Sequence, residues 1–309
     1  MAVGSLVCLV SVLGFAGRAF WTFDLLSHFR VQYLAGLTLL SCIFLTGRRR
    51  KVAAVFLAFA LVNALPVLPL FVDHRDRPMS TGDRSRAMLL NVNTDLGDPA
   101  LVKQAILDAD PDLLVLQEIN RRWASDLAWL AAKWPHRVIE LREDNFGIGL
   151  FSKAPLATGE VRYIGRAGVP SILAELDMQG TRVRLVATHP LPPIGRNYSY
   201  LRNEQLEQLA AVIDAKVSTL LFGDLNTTPW NTYFQRLLQR SGLLDSSRGF
   251  GWQPTWPNFN PLLRIPIDHC LQSPDIRIVN RWIGPDVASD HYPLIVDFAV
   301  AAGSTGNGR

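Results

Sequence analysis

Hydrophobic and polar positions divide the chain into two parts with different periods. In the first 73 residues three long apolar runs follow one another: Val3 to Phe23, broken only by Arg18; Val31 to Thr46; and Val52 to Val72. The third would be about 32 Å long as a single helix, enough to cross a bilayer. The expectation is a transmembrane region over 1–73 with about three helices. A cleavable signal peptide fits poorly, because no basic residue precedes the first run and two more apolar segments come after it. His74 to Ser85, with Pro78, Gly82 and several charges, reads as a linker (74–85).

Beyond the linker the apolar runs shorten and end in polar groups. Ala87–Val92, Leu113–Glu118, Phe146–Ser152, Ser171–Met178, Arg182–Thr188, Thr219–Phe222, Ile265–Cys270 and Pro293–Phe298 read as strands. Helices are expected from Asp98-Pro99 to about Asp108, over Arg122–Trp134, over Leu201–Val217, where Leu206, Leu209, Ala210, Ile213 and Val217 form a stripe, and from Thr228-Pro229 to Ser241. Gln179-Gly180 marks a hairpin turn, and the glycines of Phe146–Ser152 mark close approach by another chain or a ligand. This alternation predicts an α/β domain over 86–300, followed by a disordered tail (301–309).

Composition changes the picture in two ways. Six of the 31 Lys and Arg, but only two of the 27 acidic residues, precede residue 74, which leaves 25 of each in the remainder. The net charge of +4 therefore belongs to the N-terminal region, and the α/β domain is formally neutral, which weakens any inference to a nucleic-acid partner. Arg48-Arg49-Arg50-Lys51, between the second and third runs, belongs in the cytoplasm by the positive-inside rule. The protein is then expected in the cell membrane as a multi-pass chain, its catalytic domain facing the periplasm or cell exterior. Second, Cys8, Cys42 and Cys270 offer neither a disulfide framework nor a cysteine metal site.

The chemistry sits at the strand ends. Asn91, Glu118, His189, Asp224 with Asn226, Asp268, and Asp290 with His291 all stand where an apolar run stops. A carboxylate ending such a run is costly unless it meets water, a cation or a donor. Asp224 and Asn226 could equally open a turn into the helix at Thr228-Pro229. Taken together, the groups form an oxygen-rich set that favours Mg²⁺ or Mn²⁺ over Zn²⁺ and suits attack on a phosphate ester. His136 and His269 lack such a setting and read as structural, and the tryptophans Trp123, Trp129 and Trp134 read as packing or membrane-facing surface.

In this order Leu90-Asn91-Val92, Leu116-Gln117-Glu118, Thr188-His189, Gly223-Asp224-Leu225-Asn226, Ile267-Asp268 and Ser289-Asp290-His291 resemble the endonuclease/exonuclease/phosphatase superfamily, which includes pancreatic DNase, AP endonucleases, inositol polyphosphate 5-phosphatases and bacterial sphingomyelinases. The resemblance covers roughly Arg86 to Val300. It implies a four-layer α/β sandwich, two facing mixed sheets flanked by helices. It also implies a metal held by Glu118 with Asn91 and Asp290, a water handled by Asp224, a phosphate held by Asn226, a His291–Asp268 pair that polarises the phosphate or transfers a proton, and His189 on a phosphate oxygen or the leaving group. Asn93 stands where many nuclease members carry aspartate, so a one-metal site is one implication. Arg202 and Asn203 could meet a substrate phosphate or simply start a helix. The expected activity is metal-dependent phosphodiester hydrolysis, nuclease-like in the first instance, with a phospholipid or sphingomyelin headgroup as the alternative substrate and an inactive binding module as the third reading.

Overall fold

A computed structural model describes residues 1–72 and 84–301. Four helices open the chain: α1 (Ala2–Leu13), α2 (Trp21–Ser27), α3 (Arg30–Thr46) and α4 (Arg50–Ala64). The α/β part then runs β1 (Ser85–Asn91), α5 (Pro99–Ala109), β2 (Leu113–Gln117), α6 (Arg121–Asp126), β3 (His136–Glu140), β4 (Ile148–Ser152), β5 (Leu156–Tyr163), β6 (Pro170–Met178) and β7 (Thr181–Thr188). It continues with α7 (Gly195–Val212), β8 (Ser218–Asp224), α8 (Thr232–Ser241), β9 (Leu244–Asp245), β10 (Asp268–Gln272), β11 (Ile276–Ile283) and β12 (Leu294–Val300).

The strands form two six-stranded mixed sheets, ordered β11-β12-β1-β2-β4-β3 and β5-β6-β7-β8-β10-β9. Each sheet is built around a parallel pair joined by a helix, β1-α5-β2 in one and β7-α7-β8 in the other. Inward residues such as Leu89, Val115, Leu185 and Phe222 meet between the sheets. The outer face of the first sheet is covered by α5 and α6 through Ile106 and Trp123, and that of the second by α7 and α8 through Leu209 and Phe234. Both central strands of each pair are apolar on two faces, as strands buried between layers must be. The four-layer sandwich expected from the sequence is therefore the observed fold, and its parallel pairs bring the ends of β1, β2, β7 and β8 to one edge.

Several local expectations are corrected. The apolar run Val52–Val72 is not one helix: α4 stops at Ala64, because Pro66 and Pro69 lack a backbone donor and cannot carry the helical ladder further. The run Val3–Phe23 is likewise divided between α1 and α2, which meet at a bend of 112°. Among the described residues no single helix is long and apolar enough to cross a membrane. The linker expected over 74–85 lies outside the described residues up to 83, and Ser85 already begins β1; of the tail expected over 301–309 only Ala301 is described. The helix expected over Arg122–Trp134 is shorter, Arg121–Asp126, and is continued by a 3-10 segment. That expected from Thr228-Pro229 begins at Thr232, capped by the Asn231 side chain, which accepts from the Tyr233 N–H at 2.8 Å. At Gly147 the close approach is neither another chain nor a ligand: a Cβ there would lie 1.8 Å from the Ile119 carbonyl oxygen.

The N-terminal helices do not stand apart. α1, α3 and α4 associate through Cys8, Leu37, Phe56 and Ala60, while Leu6, Leu9, Leu39, Ile43 and Leu61 face outward with more than half their surface exposed. Residues of α3 and of the segment after α4 reach the α/β domain. Val67 and Leu70 pack on Trp230, the Gly251 N–H donates to the Leu70 carbonyl at 2.7 Å, and the Gln32 amide donates to the Arg264 carbonyl at 2.9 Å.

Candidate active site

Each expected site residue lies at the shared edge of the two sheets. At the end of β1, Asn91 is fully buried and donates through Nδ2 to Glu118 Oε1 at 2.8 Å, while its Oδ1 accepts from the Asn93 N–H at 3.0 Å. Asn91 thus meets Glu118 as a hydrogen-bond donor. Glu118 stands just past β2 with φ 62°, a left-handed backbone that glutamate seldom adopts and that typically costs about 1–3 kcal/mol. Its other oxygen accepts from the Thr94 N–H at 3.2 Å. Asn93 and Asn226 are also left-handed, with φ 54° and 50°. Three of the site's turns therefore use the same sharp reversal to return a side chain toward the edge.

The second sheet supplies the other half. Gly223 permits the close pairing of β7 and β8, since a Cβ there would fall 2.0 Å from the Thr188 carbonyl oxygen. One residue later Asp224 Oδ2 lies 3.4 Å from His189 Nε2 and 3.6 Å from His291 Nε2, and Oδ1 accepts from the Asn226 N–H at 2.8 Å. Register places Asp268 directly opposite Asp224 across the β8–β10 ladder. Asp268 Oδ2 accepts from His291 Nδ1 at 2.8 Å, which leaves Nε2 turned toward Asp224. Asp290 joins through a different route: Oδ1 accepts from the Asn93 amide at 2.8 Å and Oδ2 from the Trp256 indole at 2.9 Å.

Burial and charge act oppositely on the two halves. Glu118 is raised above the usual glutamate range, chiefly by burial, which the histidines and the Asn91 donor only partly offset. For Asp224 burial pulls upward too, but the His189 hydrogen bond and the His291 charge outweigh it and hold the carboxyl below its usual value. His189 is raised: burial opposes its charge, yet Asp224 and Glu118 prevail. His291 is raised furthest, to about 10, because Asp268 and Asp224 overcome its burial. At neutral pH this edge holds an imidazolium clamped between two carboxylates, beside a glutamate that has no comparable partner.

Glu118 is the place where a hard cation fits. Its oxygens have spare lone pairs after two modest hydrogen bonds, and its burial penalises the charge unless a cation arrives. Asp224, Asp268 and His291 also offer ligand atoms within 4.8 Å of one another, but the His291 imidazolium offsets part of the carboxylate charge there, and its Nδ1 is committed to Asp268. Among the described residues, the buried Asp268 Oδ1 and His189 Nδ1 have no hydrogen-bond partner, so both remain available to a ligand.

Some working residues were hidden from the sequence. Gln117 joins the halves: its amide donates to the Thr188 carbonyl at 2.8 Å and its Oε1 accepts from the Asp224 N–H at 3.0 Å. Ser289 donates to the Asn91 carbonyl at 2.8 Å and accepts from the His291 N–H at 3.1 Å. Both sit inside recognisable stretches, but an uncharged residue beside a carboxylate draws no notice. Arg202 does not face the edge; it is fully buried beneath it, ion-paired with Asp24 of α2. His269 is buried against Phe234 and its Nε2 donates to the Thr227 carbonyl at 2.8 Å, a packed position. Trp123 and Trp134 are buried as packing residues.

Residues 88–291 match the model of the Endonuclease/Exonuclease/phosphatase family. Among solved structures, an endonuclease/exonuclease/phosphatase from Beutenbergia cavernae is similar, with 22% identity, a TM-score of 0.58, and coverage of 71% of this chain and 72% of that one. Danio rerio TDP2 complexed with a single-strand DNA product shares 17% identity at a TM-score of 0.59, covering 71% of this chain and 100% of that one. Sphingomyelinase C from Streptomyces griseocarneus shares 17% identity at a TM-score of 0.51, covering 70% and 99% respectively. No curated protein sequence matches the chain.

Proposed function

The chain belongs to the endonuclease/exonuclease/phosphatase family of metal-dependent phosphoester hydrolases, and on that premise we propose that it is a phosphodiesterase working at a membrane surface, with a lipid phosphoester as substrate. The observation that carries the reaction type is the placement of Asp224 between two raised histidines beside a buried Glu118 whose charge those histidines and Asn91 only partly offset.

The residues divide the work. A bound Mg²⁺ or Mn²⁺ supplies charge neutralisation at a phosphate oxygen. Glu118 holds that ion, and Asn91 and Thr94 fix the carboxylate's orientation. Asn226, whose Nδ2 is anchored on the Pro190 carbonyl at 3.0 Å, presents its remaining N–H to the phosphoryl group. His291, kept cationic by Asp268 and Asp224, offsets the charge that develops on the phosphoryl oxygens. Asp224, held ionised by its histidine partners, accepts a hydrogen bond from the attacking water and aligns it. As the water oxygen bonds phosphorus, the bond to the leaving oxygen breaks and His189 gives that oxygen a proton, while the water's proton passes to the Asp224 carboxylate.

The rim supports the choice of substrate. Ile194, Phe259 and Leu262 are 76%, 77% and 80% exposed on loops beside the site, and Asn258, next to Phe259, donates its N–H to the Asp290 carbonyl at 2.8 Å. The loop of Phe259 and Leu262 meets the N-terminal helices where Gln32 donates to the Arg264 carbonyl, and we read the outward apolar side chains of those helices as embedded in lipid, with the Arg48–Lys51 turn on the cytoplasmic side and the site on the other. At 15 and 17 residues, α4 and α3 extend about 22 and 26 Å, somewhat short of a typical bilayer core, so local thinning accompanies that reading. Nucleic acid is the second reading, favoured by the likeness to DNA-bound TDP2, as the lipid reading is by sphingomyelinase C. Two rim cations are drawn to acidic neighbours, Arg142 to Asp144 at 2.6 Å and Arg121 to Glu143 at 3.6 Å, which makes them less available to a phosphate backbone.

The test uses the full chain in sealed, right-side-out vesicles with Mg²⁺, offered bis(p-nitrophenyl) phosphate, phosphatidylcholine or sphingomyelin, and a single-stranded oligonucleotide at low salt. Ester and lipid should be hydrolysed without detergent, and Glu118→Gln should lower turnover at least about 100-fold. Cleavage of the oligonucleotide alone would overturn the lipid assignment, latency until detergent is added would overturn the topology, and full activity in Glu118→Gln would overturn the metal position.

A further inference from the structure

The first seventy residues do more than adjoin the catalytic edge. Asp24, on α2, is 1% exposed and Arg202, on α7, is fully buried, and the two form an ion pair. Arg202 continues inward: its guanidinium donates to the main-chain carbonyl of Asn226 at 2.6 Å, and its Nε is oriented by Asn203 Oδ1 at 2.7 Å. The second oxygen of Asp24 accepts from the Asn231 amide, which also reaches Ser27 Oγ at 3.1 Å. Between these points His28 Nδ1 hydrogen-bonds Thr228 Oγ1 at 3.1 Å. The loop from Asn226 to Asn231, which links β8 to α8, is therefore held at its middle and end by one short piece of the N-terminal region, and at its beginning by Arg202, which that piece pairs.

We propose that Asp24 is a positioning residue for the active centre, acting through Arg202 to fix the left-handed turn of Asn226 and with it the amide that faces the phosphate.

The physical case rests on how little else holds that turn. Asn226 is left-handed, so the chain can relax out of the turn if its contacts go. Its N–H and side chain are tied to Asp224 and Pro190, groups of the site itself, whereas its carbonyl depends on Arg202 alone among the hydrogen bonds of the described residues. A guanidinium buried at that depth needs a counter-charge, and Asp24 supplies it from outside the α/β domain. The N-terminal region is thus a structural member of the active centre, not only an anchor for it.

The inference rests on the phosphodiesterase reading and is tested in the full chain with bis(p-nitrophenyl) phosphate and Mg²⁺. Asp24→Asn and Arg202→Met should each lower the thermal midpoint, because each leaves one buried charge unpaired, and each should lower kcat on the order of tenfold to a hundredfold with little change in KM. The double variant Asp24→Asn/Arg202→Met carries no lone charge, so it should recover the thermal midpoint. Its kcat should stay low, because nothing then holds the Asn226 carbonyl. A purely structural ion pair would let the double variant regain both, and kcat within about twofold of wild type there would overturn the proposal. So would an Asp24→Asn protein with wild-type kcat. An inactive wild type would sink the phosphodiesterase reading together with this one, whereas an active wild type with unaffected variants would sink this one alone.

Discussion

The two parallel strand pairs at the heart of the molecule are built alike and charged differently. Each runs strand, helix, parallel strand, and each delivers a carboxylate to the common edge: Glu118 after β2 and Asp224 at the end of β8. Glu118 is raised, chiefly by burial, which the charges of His189 and His291 and the Asn91 donor only partly offset. Asp224 is deeper still, yet it is held low by two histidines. Equivalent positions in a fold thus become an electrostatic vacancy and an electrostatically filled position. The lesson is that burial by itself does not decide what a strand-end carboxylate does; the partner brought by the neighbouring strand decides it. On the β8 side those partners are His189 from β7 and the His291–Asp268 pair across β10. On the β2 side the neighbouring strand β1 brings only the amide of Asn91.

The comparison breaks most severely if the filled half loses its charge. Asp224→Asn keeps the shape and the bond to the Asn226 N–H but leaves two buried imidazoles without their shared anion. A loss of kcat on the order of 10²–10⁴-fold is expected. His189, whose raised pKa depends on Asp224, should fall, since burial then dominates and favours the neutral ring. His291 retains Asp268 and should move less. Histidine titration by NMR, alongside kcat, checks both parts; an unmoved His189 would mean that Asp224 is not what sustains its charge.

A smaller effect is expected from cutting the link between the halves. Gln117 is fully buried and satisfies the Thr188 carbonyl in one direction and the Asp224 N–H in the other, so it bridges the two sheets at the site. Gln117→Met preserves the volume and abandons both groups. Two unpaired buried backbone groups cost about 2–6 kcal/mol together, and a displacement of Asp224 relative to Glu118 should reduce kcat about tenfold. Thermal unfolding and kcat measure the two consequences. Retained stability would show that water replaces the amide.

The same physics decides how much of the fold and the site is legible in the sequence. Glu118, Asp224 and His189 announce themselves because a charged group ending an apolar run is conspicuous, and the parallel cores that carry them are long and uninterrupted. β3, β5, β9 and β11 escape such a reading: β5 is mostly exposed and β9 is two residues long, so neither shows an alternating pattern. The N-terminal helices look too long in the sequence because hydropathy counts Pro66 and Pro69 as acceptable while the helical hydrogen-bond ladder does not. Asp24 carries a signal that is easy to pass over. It is the only carboxylate before Asp73, in a largely apolar region, and such a group calls for a cation. Its partner is 178 residues away, a separation that no local pattern can bridge.

The smallest effect sharpens the comparison furthest, because it separates the halves by the sign of their response to pH. With divalent metal removed by a chelator, Glu118 has a folded pKa above its unfolded one, so the folded protein binds the extra proton. Its contribution favours folding at low pH and is lost as pH rises from the usual glutamate range through the raised value. Asp224 acts oppositely: its depressed pKa gives stability above the usual aspartate range that disappears as pH falls through the folded value. His291 adds stability fully present below about 6.5 and lost as pH rises through about 10. Glu118→Gln should therefore equal wild type near pH 4 and exceed its thermal midpoint by a few degrees at pH 7, with the gain disappearing once Mg²⁺ is restored to the wild type. Thermal melts of the two proteins across pH 4 to 8, with chelator and with Mg²⁺, decide it. A variant that is less stable than metal-free wild type at pH 7 would mean that Glu118 is already compensated, and the two halves would then be electrostatically alike.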